Sequence, residues 1–422
     1  MRNNPLLFVA HLLIALPLCS AAQQDTVQHV VTGRTNSPAQ QQKPYVILIS
    51  ADGFRYDLAD KYHAVHLLRL REQGVAAASM IPAYPSLTFP NHYTIVTGLY
   101  PAHHGLVDNG FYDEKRGARY GMSRKDAVAD SSWYGGTPLW VLAEQQQMLS
   151  ASFYWVASES AIQGVRPTYY YAYNDKIDML TRIRAVKEWL QLPEEKRPHF
   201  ITFYFPQVDH AGHDYGPDSK EAEAAVHLVD ESVGSLVSAV QSTGLPVNFI
   251  FVADHGMTAV DTLHTMRLPA AVDTSKFVIP NGDVLLHLYA KNKADVLPTY
   301  TALKKSADGY DVYLAEEIPA RWNYSRQDDR YGRIGDILLV PRLPRVFSLS
   351  GKSTTPGKHG FDNALFDMHA SFYAWGPAFK TGLHIPSFEN IHIYPLVAAL
   401  LGLSYDENAI DGRAGVLKGT LK

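Results

Sequence analysis

Three continuous apolar runs punctuate the chain, and each ends in an acidic or histidine-bearing loop. Tyr45–Ser50 leads to Asp52, Phe200–Phe205 leads to Asp209, and Asn248–Ala253 leads to Asp254 and His255. Runs of this length, separated by helical stretches, predict strands buried on both faces of a mainly parallel sheet. One intervening helix is plain from its spacing, because Val226, Val229, Val233, Leu236, Val237 and Val240 fall on a single face. Ser371–Trp375 predicts a further strand of the same sheet, and Ile393–Leu401 a closing helix. The pattern changes over 265–350, where Val284–Leu288, a helical stretch from Lys293 to Lys305, and Asp311–Leu314 predict a small α+β insertion. The fold class is therefore α/β. Residues 23–43 are rich in Gln, Thr and Ser without apolar periodicity, and predict a flexible leader.

Length and composition agree with one large catalytic-sized domain, 44–422, that includes the insertion. The chain has 422 residues, 46% of them hydrophobic, which is ample for a substantial core. A formal net charge of -4 argues against a general nucleic-acid binder, so no sequence-specific nucleic-acid partner is expected. The N-terminus has the form of an export signal over 1–22: Arg2, the apolar stretch Leu6–Leu18, then Ser20-Ala21-Ala22 before Gln23. That stretch is shorter than the roughly 20 residues a membrane span needs, so the mature chain is expected to lack one and to be periplasmic or secreted. Lipid anchoring at Cys19 is the second reading, weakened by Leu16-Pro17-Leu18 in front of it. Cleavage after Ala22 removes the one cysteine, so any metal site must use nitrogen and oxygen ligands.

Candidate chemistry gathers at the strand ends. Pro90 suits the start of a helix running to about Thr97, stopped by Gly98, and Thr88 stands just ahead of it. A hydroxyl at a helix N-terminus is placed to attack a phosphate held there, although a Thr in that position also serves as a simple cap. Asp209 and His213 are four apart, so one helical turn aims both at one ion; alternatively Asp209 caps the segment and His213 is a surface residue. Asp254-His255-Gly256 can turn two adjacent side chains toward one point, or begin a loop with an incidental histidine. Asp52-Gly53 has the same form, and His359 is a lone histidine in a Gly-rich loop. In open α/β sheets ligands bind beyond the carboxyl ends of the strands, which is where the three acidic loops fall. Mixed carboxylate and imidazole ligands favour zinc or manganese over magnesium, and their number favours two ions, an arrangement suited to in-line displacement at phosphorus.

With these residues in view, the chain resembles the nucleotide pyrophosphatase/phosphodiesterase family of the alkaline phosphatase superfamily, in its single-domain bacterial form. The strings that carry the resemblance are Ala51–Arg55, Thr88–Tyr93, Thr97–Pro101, His104–Asn109, Asp209–His213, Ala253–Met257 and His359–Asn363, in the family's order. The resemblance implies a three-layer α/β/α sandwich with a mostly parallel central sheet. It implies Thr88 as the nucleophile, forming a covalent phosphoryl-threonine intermediate. It further implies two Zn2+ ions, one held by Asp52, Thr88, Asp254 and His255, the other by Asp209, His213 and His359. Asn109 matches the position that donates to a phosphate oxygen, while Asn109-Gly110 also has the composition of a plain turn. Phe89, Tyr173 and Tyr204 match aromatic walls of a nucleotide pocket, with core or rim packing as the other reading for the two tyrosines.

The implied activity is hydrolysis of phosphodiester and pyrophosphate bonds in nucleotides, releasing 5′-monophosphates from a small-molecule substrate. Pro206-Gln207-Val208 before Asp209 and Val156-Ala157 after Trp155 depart from the animal pattern near the pocket, where many members have Pro-Gly after the Trp. A phosphodiesterase for choline-type phospholipid head groups, or a phosphomonoesterase on the same metal core, is therefore the alternative. A sulfatase is disfavoured by the absence of a mature cysteine. A zinc-binding protein without catalysis would have little reason to keep Thr88 and Asn109.

Overall fold

The computed structural model describes residues 26–422, so the export signal and Cys19 lie outside the described residues. A nine-stranded sheet forms the centre: β1 (His29–Val30), β2 (Tyr45–Ala51), β3 (Val75–Ala77), β4 (Ser150–Phe153), β5 (Tyr169–Tyr171), β6 (Phe200–Phe205), β7 (Val247–Val252), β8 (Phe372–Trp375) and β9 (Leu383–Ile385). Their order across the sheet is β1-β5-β4-β6-β2-β7-β8-β3-β9. The run from β5 to β7 is parallel, whereas β8 lies antiparallel to both its neighbours and β1 antiparallel to β5. β2 and β7 are buried at every position, which is why their sequences read as unbroken apolar runs rather than alternating ones.

Seven helices cover the two faces: α1 (Val65–Glu72), α2 (Thr88–Thr97), α3 (Leu139–Gln145), α4 (Met179–Leu190), α5 (Gln207–Tyr215), α6 (Lys220–Gln241) and α7 (Ile393–Leu401). α1, α4 and α5 pack on α6, while α2 and α3 pack on α7, giving the three layers expected. Ser219 caps α6 through Ala222 N–H, and Glu221 and Glu223 sit in its first turn, both favourable at the positive end of a helix dipole. α6 also supplies a cap to its neighbour: the buried Asp230 accepts from His66 N–H and Leu67 N–H at 3.0 and 2.7 Å, where Ala64 has no side-chain oxygen to offer. α7 is buried nearly all round, consistent with its almost wholly apolar sequence.

The segment 26–43 is not the loose leader its composition suggests. β1 adds an antiparallel edge strand to β5. The buried Asn36 donates to Glu194 O and Arg197 O and accepts from Leu149 N–H at 2.7–2.8 Å. These anchors are polar, so no apolar periodicity announces them. Between β7 and β8 lies a second, antiparallel sheet of four strands, Phe277–Val278, Leu286–Ala290, Ile337–Pro341 and Tyr310–Leu314 in spatial order. It has its own core, including Leu286, Leu288, Leu303, Val312, Leu339 and Phe347. Among the described residues no helix is long and apolar enough to cross a membrane.

Candidate active site

Parallel register brings the three acidic loops together. Ala51 lies opposite Phe205, and Ser50 opposite both Tyr204 and Val252, so β2, β6 and β7 end at one level. Asp52 follows β2, Asp209 sits in the first turn of α5 beyond β6, and Asp254-His255 follows β7. The approach is close. Gly53 has φ of +68°, and a Cβ there would lie 3.0 Å from Asp209 Cα, so only glycine lets α5 seat against the β2 loop. Asp209 makes no capping bond, and α5 places His213 over it with Nε2 3.4 Å from Asp209 Oδ1.

Histidine tautomers follow from their partners. His213 Nδ1 faces Gly357 O at 2.8 Å, His255 Nδ1 faces Gly256 O at 2.8 Å, and His359 Nδ1 faces Ser86 O at 2.9 Å. A carbonyl can only accept, so each neutral ring carries its proton on Nδ1 and turns a bare Nε2 inward. Two of these lone pairs, on His213 and His359, then oppose each other at 3.1 Å. The third, on His255, faces Asp254 Oδ2 at 2.9 Å, Asp52 Oδ1 at 3.4 Å and Thr88 Oγ1 at 3.1 Å. Asp52 Oδ1, Asp209 Oδ1 and Asp254 Oδ2 are buried without a hydrogen-bond donor. Orphaned acceptors facing one another are costly unless a cation sits among them. Asp52, Asp254 and His255 form one compact donor group and Asp209, His255 and His359 another, with His213 closing the second side.

Electrostatics point the same way. Burial, with Asp254 and Asp209 close by, pushes the Asp52 carboxyl well above its usual range. Burial would raise Asp254 as well, but His255 and His92 beside it hold it well below. Burial drives His359 well below the ordinary imidazole value, and the charges of His255 and His213 add to that. For His255, burial is outweighed by Asp254 and the imidazole is raised. A proton or a cation must fill the space between these groups. Among the described residues there is no thiol, and the imidazole and carboxylate donors fit zinc or a similar ion.

Thr88 is the first residue of α2, which begins two residues earlier than the start at Pro90 that the sequence predicts. Leu87 is the extended residue, and Gly98 ends the helix in the left-handed region as expected. Phe89 stays helical ahead of Pro90, with its N–H donating to Asn109 Oδ1 at 2.9 Å. That bond fixes the Asn109 amide orientation and leaves its two N–H hydrogens for another acceptor. Of the three aromatics, Tyr173 and Tyr204 are neighbours, with ring centroids 6.2 Å apart, and Tyr173 is 48% exposed. Phe89 instead lies against Tyr120. The Tyr204 hydroxyl donates to Asp52 Oδ2 at 2.6 Å, leaving Oδ1 as the free oxygen.

His92 is a site residue that the sequence reading passed over. It is fully buried one helical turn beyond Thr88, and its Nδ1 faces Thr88 O at 3.0 Å and Asp254 Oδ2 at 3.2 Å. Thr88 O can only accept, so Nδ1 carries the proton and directs it there, leaving Asp254 Oδ2 close by but without an aligned hydrogen bond, and Ser50 Oγ meets Nε2 at 2.8 Å. The four-residue spacing from Thr88 was visible; the partner across the fold was not.

A family model described as type I phosphodiesterase / nucleotide pyrophosphatase matches residues 46–362. Ectonucleotide pyrophosphatase/phosphodiesterase family member 1 of Mus musculus is 35% identical over 401 residues, 91% of this chain and 43% of that protein. A pyrophosphatase/phosphodiesterase of Schizosaccharomyces pombe is 33% identical over 90% of this chain and 81% of its own length. The chain thus spans less than half of the mouse relative. Among solved structures, murine ectonucleotide pyrophosphatase/phosphodiesterase 5, an inactive threonine-to-alanine variant in complex with AMP, aligns with a TM-score of 0.84 and 28% identity, covering 90% of this chain and 100% of that one.

Proposed function

We propose, on the premise that this chain belongs to the type I phosphodiesterase / nucleotide pyrophosphatase family, that it is an exported hydrolase of nucleotide phosphodiester and pyrophosphate bonds releasing nucleoside 5′-monophosphates. The observation that carries the reading is the set of facing acceptors that includes the neighbour of Thr88: three imidazole Nε2 atoms and three orphaned carboxyl oxygens. Asp52, Thr88, Asp254 and His255 would hold one zinc ion, and Asp209, His213 and His359 the other. When bound, such ions lower the proton affinity of a coordinated oxygen and offset negative charge at the phosphate.

The chain's own residues supply the rest. Thr88 Oγ1 attacks phosphorus and forms the phosphoryl-threonine ester as the bond to the leaving oxygen breaks; water then cleaves that ester. The Asn109 amide, oriented by Phe89 N–H, donates to a phosphate oxygen, and it does so without rearrangement because its carbonyl is already engaged. Tyr204 holds Asp52 so that one oxygen remains inward. Tyr173, half exposed beside Tyr204, offers a face on which a base can stack. An AMP complex of a family relative, made with an inactive threonine variant, supports both the nucleotide and the threonine roles.

A hydrolysis screen tests this reading. Metal-stripped protein, with zinc or manganese restored, is assayed on a nucleotide diester, a glycerophosphocholine-like diester and a monoester. The nucleotide diester is expected to turn over fastest and only with metal present. Faster turnover of either other ester replaces the substrate assignment, and no hydrolysis at all removes the enzymatic one.

A further inference from the structure

The insertion between β7 and β8 does not stand apart from the site. It grips the stretch Gly105–Asp113, which carries Asn109, at both ends. Arg333 is only 2% exposed, and its Nη1 donates to Gly105 O at 2.9 Å and to Trp133 O at 2.6 Å, while its Nε donates to Asp113 Oδ2 at 3.0 Å. Between these anchors the Tyr324 hydroxyl donates to Val107 O. His287 Nδ1 accepts from Gly335 N–H at 3.1 Å, so its proton is on Nε2, which faces Asp108 Oδ2 at 3.6 Å. Asp108 Oδ1 in turn accepts from Gly110 N–H at 3.1 Å and closes the turn with Asn109 at its apex.

The contact is built for close approach. Gly105 has φ of +88°, and a Cβ there would come within 2.6 Å of Arg333 Nη1. The guanidinium is flanked by the rings of Tyr331, Trp133 and Phe111 at 4.7, 5.0 and 5.4 Å. Withdrawing an arginine and an aspartate from water costs about what their attraction returns, so a pair of this kind is a poor source of net stability. Its geometric effect is plain. Planar donors at fixed angles hold the chain before Asn109 and the chain after it to one rigid group.

We propose that Arg333 is a positioning residue that holds the Asn109 amide at the first turn of α2, where it meets the phosphate beside Thr88. This inference rests on the proposed role of Asn109 as a phosphate-oxygen donor. It makes the insertion a working part of the phosphate site.

A double-mutant cycle on the full metal-loaded chain tests it, with kcat/KM measured on a chromogenic nucleotide diester. Asn109→Ala alone is expected to cost about 100-fold, in the range for losing one oxyanion donor. Arg333→Lys keeps the charge but loses the fork, and is expected to cost about 10-fold through misplacement. In the Asn109→Ala background the same change should cost less than about 2-fold, because the group it positions is gone. An equal 10-fold loss in both backgrounds overturns the proposal. Should Arg333→Lys fail to fold, Tyr324→Phe, which deletes one hydroxyl, carries the same cycle with the same two readings. Amide exchange over Gly105–Asp113 provides a readout free of catalysis: faster exchange in Arg333→Lys at an unchanged melting midpoint supports the anchoring, and unchanged exchange overturns it. A parent protein that hydrolyses no phosphate ester would remove the functional reading alone, since the exchange measurement still decides whether Arg333 fixes this turn.

Discussion

The Thr88 hydroxyl oxygen lies 3.1 Å from His255 Nε2, across 167 positions of sequence. Because His255 Nδ1 is engaged by Gly256 O, that Nε2 has a lone pair rather than a hydrogen to offer. The Thr88 O–H can donate to that lone pair, and once the hydroxyl proton is lost both atoms are donors to a cation placed between them. Thr88→Ala removes the oxygen proposed to attack phosphorus and leaves Asp52, Asp254 and His255 in place. Turnover of a nucleotide diester should fall by about 10^4-fold or more, while zinc still binds, as measured by elemental analysis of the purified variant. Near-normal turnover would sink the nucleophile assignment. With an isotopically chiral phosphorus substrate, double displacement should give net retention, and inversion would count against any covalent step.

Tyr204 carries the next expectation, because one side chain does two jobs there. Tyr204→Phe keeps the ring beside Tyr173 but deletes the donor to Asp52 Oδ2. Zinc affinity, read by competition with a chelator, is expected to fall by about 10-fold or more. Tyr173→Ala should do the reverse, raising KM for the nucleotide with metal content unchanged. If Tyr204→Phe binds zinc as tightly as the parent, the hydroxyl does not orient the ligand.

Much of this site was legible because unbroken apolar runs stop where charge begins. β2, β6 and β7 could be assigned from that alone to one sheet with their ends at one edge, and those ends carry Asp52, Asp209, Asp254 and His255; that the three are neighbours came from the structure. What stayed illegible depends on main-chain atoms that only the folded chain puts in place. The carbonyls of Ser86, Gly256 and Gly357 set the three imidazole tautomers, and no side-chain pattern marks a carbonyl. Tyr204 sits in a run with no polar alternation, so the face it takes was undetermined. His92 stood four residues from Thr88 in plain view, yet its partner Asp254 is 162 positions away. The polar anchoring of Asn36 left no apolar trace and was read as looseness.

The loop after β4 stores strain that can be released. Tyr154 and Ala157 adopt φ of +62° and +71°, a region that costs a residue with a Cβ roughly 1–2 kcal/mol. Ala157 is almost wholly buried, and Trp155 Nε1 donates to His92 O at 3.0 Å from within the same loop. Ala157→Gly relieves the backbone, while the unfolded chain gains freedom worth about 0.5–1 kcal/mol. The net expectation is a gain of up to about 1 kcal/mol, seen as a higher urea midpoint at an unchanged slope. A lower midpoint would mean the methyl group packs better than the turn is strained.

His104 gives the fold an acid limit whose sign can be worked out. It is fully buried, accepts from Leu106 N–H on Nδ1 at 3.2 Å, and through Nε2 meets Pro90 O at 3.2 Å and Thr94 Oγ1 at 3.0 Å. One neutral tautomer satisfies all of these, and a second proton on Nδ1 would break the bond from Leu106. Burial is the chief reason its pKa falls from 6.5 to about 3. The unfolded chain therefore binds this proton first, so the contribution is complete above about pH 6.5 and lost as pH falls toward 3. Between pH 7 and pH 5 the loss from this one residue is about 2 kcal/mol. Urea unfolding of metal-stripped protein at the two pH values, repeated with His104→Asn, isolates it, because the other histidines titrate alike in both proteins. The variant is expected to be less stable at pH 7 yet to lose about 2 kcal/mol less on acidification; equal losses would show that His104 takes up its proton inside the folded protein.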